Sequence, residues 1–244
     1  MSLLEARGLS KRFGGLLAVT DFSLSLTAGE MLGLIGPNGA GKTTVFNLLS
    51  GFLLPDAGEI RFRDHSIVGL KPHRICRLGL ARTFQLTRPF PHLTVLENVR
   101  VGALVRTPSA GEAEARARRI LSEVGLGLRA TAAAASLTLA ERKRLELARA
   151  LATDPALLLL DEVMAGLNAT ETGEIVELIR RINARGIAIV LIEHVMRAVM
   201  ALSQRIVVLN GGQSIASGPP EVVANDPRVV EAYLGEEYAI ASSG

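Results

Sequence analysis

An α/β fold built on a mixed sheet is the class this sequence predicts, and three observations predict it. The glycine-rich pattern Gly36-Pro37-Asn38-Gly39-Ala40-Gly41-Lys42-Thr43-Thr44 follows a short apolar run, Met31–Ile35, and precedes a helix-like stretch, Thr44–Ser50. Two further apolar runs, Leu157–Leu160 and Ile187–Ile192, have the length of strands buried on both faces of a parallel sheet. Each ends in polar residues, Asp161-Glu162 and Glu193-His194. In open α/β sheets, such strand ends are where ligand-binding groups sit.

The chain has 244 residues, 48% of them hydrophobic, enough for one large domain or a domain with a lobe. Its 27 basic and 24 acidic residues nearly cancel. No basic stripe argues for nucleic acid as a partner. Cys76 is the single cysteine, which excludes an intrachain disulfide and a thiolate metal cage and suits a reducing compartment. No secretory h-region and no apolar run of membrane-spanning length is expected from the sequence.

Taken in order, Ser2–Leu9 and Phe22–Leu26 read as strands, with Leu16–Val19 between them. Gly8, Gly14, Gly15 and Gly29 favour a strand-rich N-terminal sheet over helix. Phe13 precedes the glycine loop by a length that suits stacking on a base, although an aromatic taken alone favours the core. In the loop, glycines let successive backbone N–H groups face phosphate oxygens, and the following helix N-terminus adds about half a positive charge. Lys42 is placed to reach the β- and γ-phosphates, and the Thr43 hydroxyl to ligate Mg²⁺. Val45, Leu48 and Leu49 share a helix face that Gly51 ends.

Pro55–Gly58 is a turn and Gly58–Arg63 a short strand. His65 and His73 read as surface groups, and Arg74, Arg77 and Arg82 as a solvated face. Gly79–Gln85 reads as a strand ending at a polar residue. Gln85 there either ligates Mg²⁺, positions water or simply starts a loop. Thr94 with Glu97 forms a capping box, and from Thr94 to Leu151 strand signals vanish. Gly111–Val124 is a helix. Thr138 with Glu141 caps another, on which Leu145, Ala148 and Leu151 share a face.

After the Asp154-Pro155 break comes the leucine run. Two carboxylates at its tip are costly unless they meet a cation or a proton-transfer task. Asp161 is thus the natural Mg²⁺ partner, and Glu162 the base that orients the attacking water. Ala165–Asn168 is a turn, and Glu171–Asn183 a helix with Ile175, Leu178, Ile179 and Ile182 on one face. His194 is placed to bond a γ-phosphate and sense its presence. Arg205–Leu209 and Gln213–Ala216 flank Asn210-Gly211-Gly212 as a hairpin. A helix or two and a frayed end at Ser242–Gly244 complete the chain.

Together these residues resemble the ATP-binding cassette (ABC) family over nearly the whole chain. Gln85 matches the family's Q-loop, Leu157–Glu162 its Walker B strand and catalytic glutamate, Ala165–Asn168 its D-loop and His194 its switch histidine. The resemblance implies that Phe13 stacks on adenine and that Thr138 contacts nucleotide. It implies ATP and Mg²⁺ as cofactors. It also implies an ABC-type P-loop NTPase domain over 1–244, with an antiparallel β-subdomain. In that division 1–86 and 154–216 form the nucleotide-binding core, 87–153 a helical subdomain and 217–244 a tail. Ala81–Gln85, Phe90–Val99 and Asp226–Gly235 are similar to the ATPase subunits of branched-chain amino acid importers. The implied activity is ATP hydrolysis coupled to solute import at the cytoplasmic face of the inner membrane. The implied partners are membrane permease subunits, a second ATPase subunit and, indirectly, a solute-binding protein. Urea, short amides or aromatic acids are alternative cargoes, and a soluble non-transport ABC ATPase is the alternative class.

Two departures stand out. The family signature L-S-G-G-Q is here Leu137-Thr138-Leu139-Ala140-Glu141, with both glycines lost, and Asn168 replaces the D-loop aspartate. The expectation is that this chain's signature serves the weaker of two sites. Its own loop, Glu162 and His194 form the competent one with a partner's signature.

Overall fold

The computed structural model describes residues 2–85 and 89–233. The boundary expected at 86–87 lies outside them, as do Leu234, Gly235 and the expected frayed end.

Two long strands, β1 (Ser2–Phe13) and β2 (Leu16–Thr27), form an antiparallel hairpin. They join β4 (Ala57–Phe62) and β5 (His65–Ser66) in a four-stranded antiparallel sheet of order β2-β1-β4-β5. Leu16–Val19, left between strands by the sequence, belongs to β2. Register shifts along the β1–β2 pair break the simple alternation there. Between these elements run β3 (Met31–Ile35) and α1 (Lys42–Leu49). The helix α2 (Pro72–Leu78), which the sequence reading did not identify, starts on Pro72 and stops at Gly79.

The second sheet has six strands in the order β10-β9-β3-β8-β7-β6. Its members are β3, β6 (Leu80–Arg82), β7 (Leu157–Asp161), β8 (Ala188–Ile192), β9 (Arg205–Asn210) and β10 (Gln213–Gly218). All pair in parallel except the β9–β10 hairpin, so the sheet is mixed. The strand expected over Gly79–Gln85 is only the three residues of β6, and Gln85 lies in the loop beyond.

The leucine run is explained by burial on both sides. Leu157 and Leu159 join a cluster with Phe22, Phe62, Val45 and Phe46, which ties the antiparallel sheet and α1 to one face. Leu158 and Leu160 join the cluster on the other face, with Leu147 of α5 (Leu139–Ala152) and Ile175, Ile179 and Ile182 of α6 (Ala169–Asn183). Each of those fully buried isoleucines contributes about 1.5–3 kcal/mol of hydrophobic stabilisation. Between β6 and β7 the chain is helical, in α3 (Val95–Ala103), α4 (Ala110–Glu123) and α5. Both capping boxes form, at Thr94 with Glu97 and at Thr138 with Glu141. After β8 come α7 (Met196–Leu202) and, past the hairpin, α8 (Pro220–Ala224) and a helix over 227–233.

One sequence expectation is corrected. Arg74 and Arg77 are exposed, but Arg82 is not part of a solvated face: its side chain retains 6% exposure and pairs with Asp161. Its buried partner is distant in sequence, which is why composition alone misplaces it.

Candidate nucleotide-binding site

The loop between β3 and α1 is shaped by glycines that nothing else replaces. Gly36 lies at φ +147°, where a Cβ would stand 2.0 Å from the Leu209 carbonyl oxygen. Gly41 lies at φ +103°, where a Cβ would stand 2.5 Å from the Ala18 carbonyl oxygen. The loop is therefore wedged between β9 and the start of β2, and only glycine fits both the dihedral and the space. This contact also brings the β1–β2 hairpin tip beside the loop.

The result is a cavity of about 550 Å³, within the range of small-molecule sites. Phe13, Asn38, Gly39, Ala40, Gly41, Lys42, Thr43 and Thr44 line it from one side, and Gln85, Glu162 and His194 from the other. Phe13 is 46% exposed at the rim, not in the core. Leu16, Leu17, Ala18 and Gly211 also line the cavity and were not singled out in the sequence. The Asn210-Gly211-Gly212 turn was the one signal that could have found Gly211.

Lys42 is buried, and its Nζ donates to the carbonyls of Gly36 at 2.6 Å and Pro37 at 2.9 Å. The ammonium is thus held at the phosphate loop by the loop's own backbone.

Three strand or loop ends converge on Glu162. Gln85 Nε2 donates to Glu162 Oε2 at 2.7 Å, and His194 Nε2 donates to Glu162 Oε1 at 3.0 Å. Glu162 itself sits at φ +50°, a conformation uncommon for a side chain of its size. Its backbone is pinned on both sides: its N–H donates to Ile192 O at 2.9 Å, and its carbonyl accepts from Lys143 Nζ at 2.8 Å. Lys143 lies in α5 and is buried, as is Glu193 at the end of β8. Glu193 Oε1 accepts the Met164 N–H at 2.8 Å and so fixes the turn after Glu162. Neither Lys143 nor Glu193 was identified from the sequence as a support.

Burial pushes the Glu193 carboxyl up to about 7, against the opposing effect of hydrogen bonds from the Met164 and His194 backbone and of the Lys143 charge. A carboxyl raised in this way binds more protons folded than unfolded. Its contribution to stability is full below its ordinary value of 4.5 and is lost as pH rises to about 7. Chemical denaturation of the wild type and of Glu193→Gln across that window is expected to show the wild type losing stability relative to the variant as pH increases. Parallel pH curves would contradict it.

Asp161, the last residue of β7, is buried behind Glu162. Burial raises its pKa against the lowering effect of Arg82, which donates to Asp161 Oδ2 at 2.9 Å. Among the described residues no cluster of three or more His, Cys, Asp or Glu side chains forms a metal cage. The available donors are the Thr43 hydroxyl, the Asp161 carboxylate and the Gln85 amide oxygen. That all-oxygen set suits a hard cation that takes its remaining ligands from phosphates and water, as Mg²⁺ does.

Thr138 does not reach this cavity. It is exposed at the start of α5, its hydroxyl accepts the Glu141 N–H at 3.3 Å, and Glu141 Oε2 accepts the Thr138 N–H at 2.9 Å. Asn168, in place of an aspartate, caps α6: its Oδ1 accepts the Glu171 N–H at 2.9 Å.

The comparisons with known proteins agree with this geometry. A profile described as ABC transporter matches residues 19–165, and one described as branched-chain amino acid ATP-binding cassette transporter matches residues 213–239. The chain is 46% identical to the high-affinity branched-chain amino acid transport ATP-binding protein LivG of Escherichia coli K12, over 96% of this chain and 98% of that one. It is 43% identical to BraF of Pseudomonas aeruginosa, a protein of the same description, over the same shares. The fold matches the ADP conformation of MJ1267, an ATP-binding cassette of an ABC transporter, with a TM-score of 0.88 and 31% identity over 97% of this chain and 100% of that one. A glycine loop closed on a buried lysine, a carboxylate lining the same cavity and relatives of nearly full length lead to one conclusion: this chain belongs to the ABC transporter family, as one of its ATP-binding ATPase subunits.

Proposed function

We propose that this chain drives an importer of branched-chain amino acids by hydrolysing ATP with Mg²⁺, at the cytoplasmic face of the membrane and docked on separate permease subunits. The observation that carries the chemistry is the convergence of Gln85, Glu162 and His194 on the cavity that the Lys42 loop opens. The cargo reading is supported by the names of the relatives and by the match of residues 213–239.

In this reading adenine stacks on Phe13, and the loop N–H groups and the α1 N-terminus hold the phosphates. Lys42 exchanges the Gly36 and Pro37 carbonyls for β- and γ-phosphate oxygens. Thr43, Asp161 and Gln85 would hold Mg²⁺, which would supply charge neutralisation for the phosphates. At rest both Glu162 oxygens accept hydrogen bonds, from Gln85 and His194. For hydrolysis Gln85 releases one oxygen to a water molecule. Glu162 takes its proton as the water oxygen bonds to the γ-phosphorus, and the bond to the β–γ bridging oxygen breaks to leave ADP and phosphate. His194 turns to the γ-phosphate.

The chain pairs with a second ATPase subunit. The α5 N-terminus supports a weak role for its own signature. Its capping box already engages the Thr138 and Glu141 N–H groups, and Glu141 places a carboxylate where a phosphate would approach, paired with Arg129 at 3.2 Å. A groove lined by Phe52, His73, Phe84, Val101 and Arg149, between α2 and the helices α3 and α5, is the docking surface for the permease. No described helix is long and apolar enough to cross a membrane.

Affinity purification of this chain from detergent-solubilised membranes tests the assignment. Permease subunits and a second ATPase are expected to come with it, and deletion of its gene is expected to abolish leucine uptake while leaving urea uptake intact. Recovery of the chain alone, or unchanged leucine uptake, would refute it.

A further inference from the structure

An ion pair with both side chains almost fully buried joins Arg82 to Asp161, with 6% and 4% of the side chains exposed. Removing two charges from water costs several kcal/mol per ion, so such a pair is not explained by stability alone. Its geometry shows what else it does. Arg82 Nη2 donates to Asp161 Oδ2 at 2.9 Å, while Nη1 donates to Asn47 Oδ1 at 2.6 Å and to Ser50 Oγ at 3.2 Å. Asn47 lies on α1, one turn after Thr43 and on the same face, and Ser50 caps that helix. The guanidinium is also packed among rings, 5.5 Å from the Phe46 centroid, 5.8 Å from Phe52 and 5.1 Å from Phe84. Its Nε is buried without a hydrogen-bond partner, so the group is held by its two ends and by the rings.

We propose that Arg82 is a positioning residue of the hydrolytic site: it bolts the Asp161 carboxylate of β7 to helix α1, so that Asp161 and the Thr43 hydroxyl address one divalent cation. This rests on the reading of those two residues as cation ligands. A cation can be shared between two elements only if their spacing is held. Arg82 hydrogen-bonds the β7 carboxylate and, from the same guanidinium, the side chains of Asn47 on α1 and of Ser50 at its end. Lysine keeps the charge at this position but lacks the planar fork that reaches Asn47, Ser50 and Asp161 together.

The sign of the effect separates positioning from simple charge. A fixed positive charge beside a carboxylate opposes a second cation, so if Arg82 acted by charge alone its removal would tighten metal binding. If it positions, removal loosens metal binding. The test uses the full chain loaded with a non-hydrolysable ATP analogue, with Mn²⁺ as the probe and its affinity read by electron paramagnetic resonance. Arg82→Met and Arg82→Lys are each expected to weaken Mn²⁺ binding by about tenfold or more, the range seen when groups that orient metal ligands are removed. Asn47→Ala, which removes one anchor and no charge, is expected to shift it in the same direction. Affinity for the analogue without metal serves as the folding control and is expected to hold in all three. Unchanged or tighter Mn²⁺ binding in Arg82→Met, or wild-type binding in Arg82→Lys, overturns the proposal. Asp161→Asn distinguishes the two levels. If it leaves Mn²⁺ binding intact, the ligand reading itself fails. If it weakens binding while the Arg82 variants do not, only the role of Arg82 fails.

Discussion

Replacing Glu162 with glutamine is expected to lower steady-state ATP hydrolysis by about two to four orders of magnitude while ATP stays bound, the usual range for loss of a general base. The substitution is nearly isosteric, so the cavity keeps its shape. One amide oxygen still accepts from His194 Nε2, now at 3.0 Å from Glu162 Oε1, and Gln85 meets the new amide by rotating its own. What is lost is the ability to take a proton from water. The pinned backbone, with Lys143 on the carbonyl and Ile192 on the N–H, keeps the side chain where it was. The effect is thus on kcat and not on ATP affinity. In the complex with a second ATPase the experiment also decides which site works. Nearly complete loss of turnover from Glu162→Gln in this chain alone places the competent site here. Turnover close to wild type would assign the work to the partner's site instead.

Lys42→Ala is expected to weaken ATP binding by about two to four orders of magnitude, measured by titration with a fluorescent nucleotide. Each charge-assisted hydrogen bond contributes about 1.5–3 kcal/mol, and Lys42 is positioned to make two of them to phosphate oxygens. The same ammonium holds the Gly36 and Pro37 carbonyls together, so its removal is also expected to lower the melting temperature. Retained ATP affinity in a folded Lys42→Ala protein would show that the loop grips its ligand by backbone alone. The two variants divide the work of the site. Lys42→Ala fails at binding, whereas Glu162→Gln binds and fails at chemistry.

Much of this protein is legible in one dimension because its signals are local. The glycine loop specifies its own backbone, and the strand before it and helix after it are adjacent in sequence. The leucine run announces a strand buried on both faces, and its charged tip announces a site. The capping boxes at Thr94 and Thr138 are four-residue patterns, and both formed. Other features were not legible. α2 escaped notice because it spans two turns and buries only Ile75. Leu16–Val19 was left out of β2 because irregular register hides strand alternation. Phe13 was placed at the ligand by family resemblance, against the bias of its residue type.

By itself, the sequence determined the groups on offer: a lysine in a glycine loop, a hydroxyl beside it, two carboxylates at a strand tip, and the order of elements that carries them. Only the tertiary structure decided how those groups are held. Arg82, Lys143 and Glu193 look like ordinary charges on the page of letters, because what makes them consequential is burial beside partners far along the chain. Arg82 and Asp161 are 79 positions apart. Lys143 belongs to a different helix from the strand end it steadies. Burial and long-range pairing are properties of the packed sheet and helices, and no local pattern of residues encodes them.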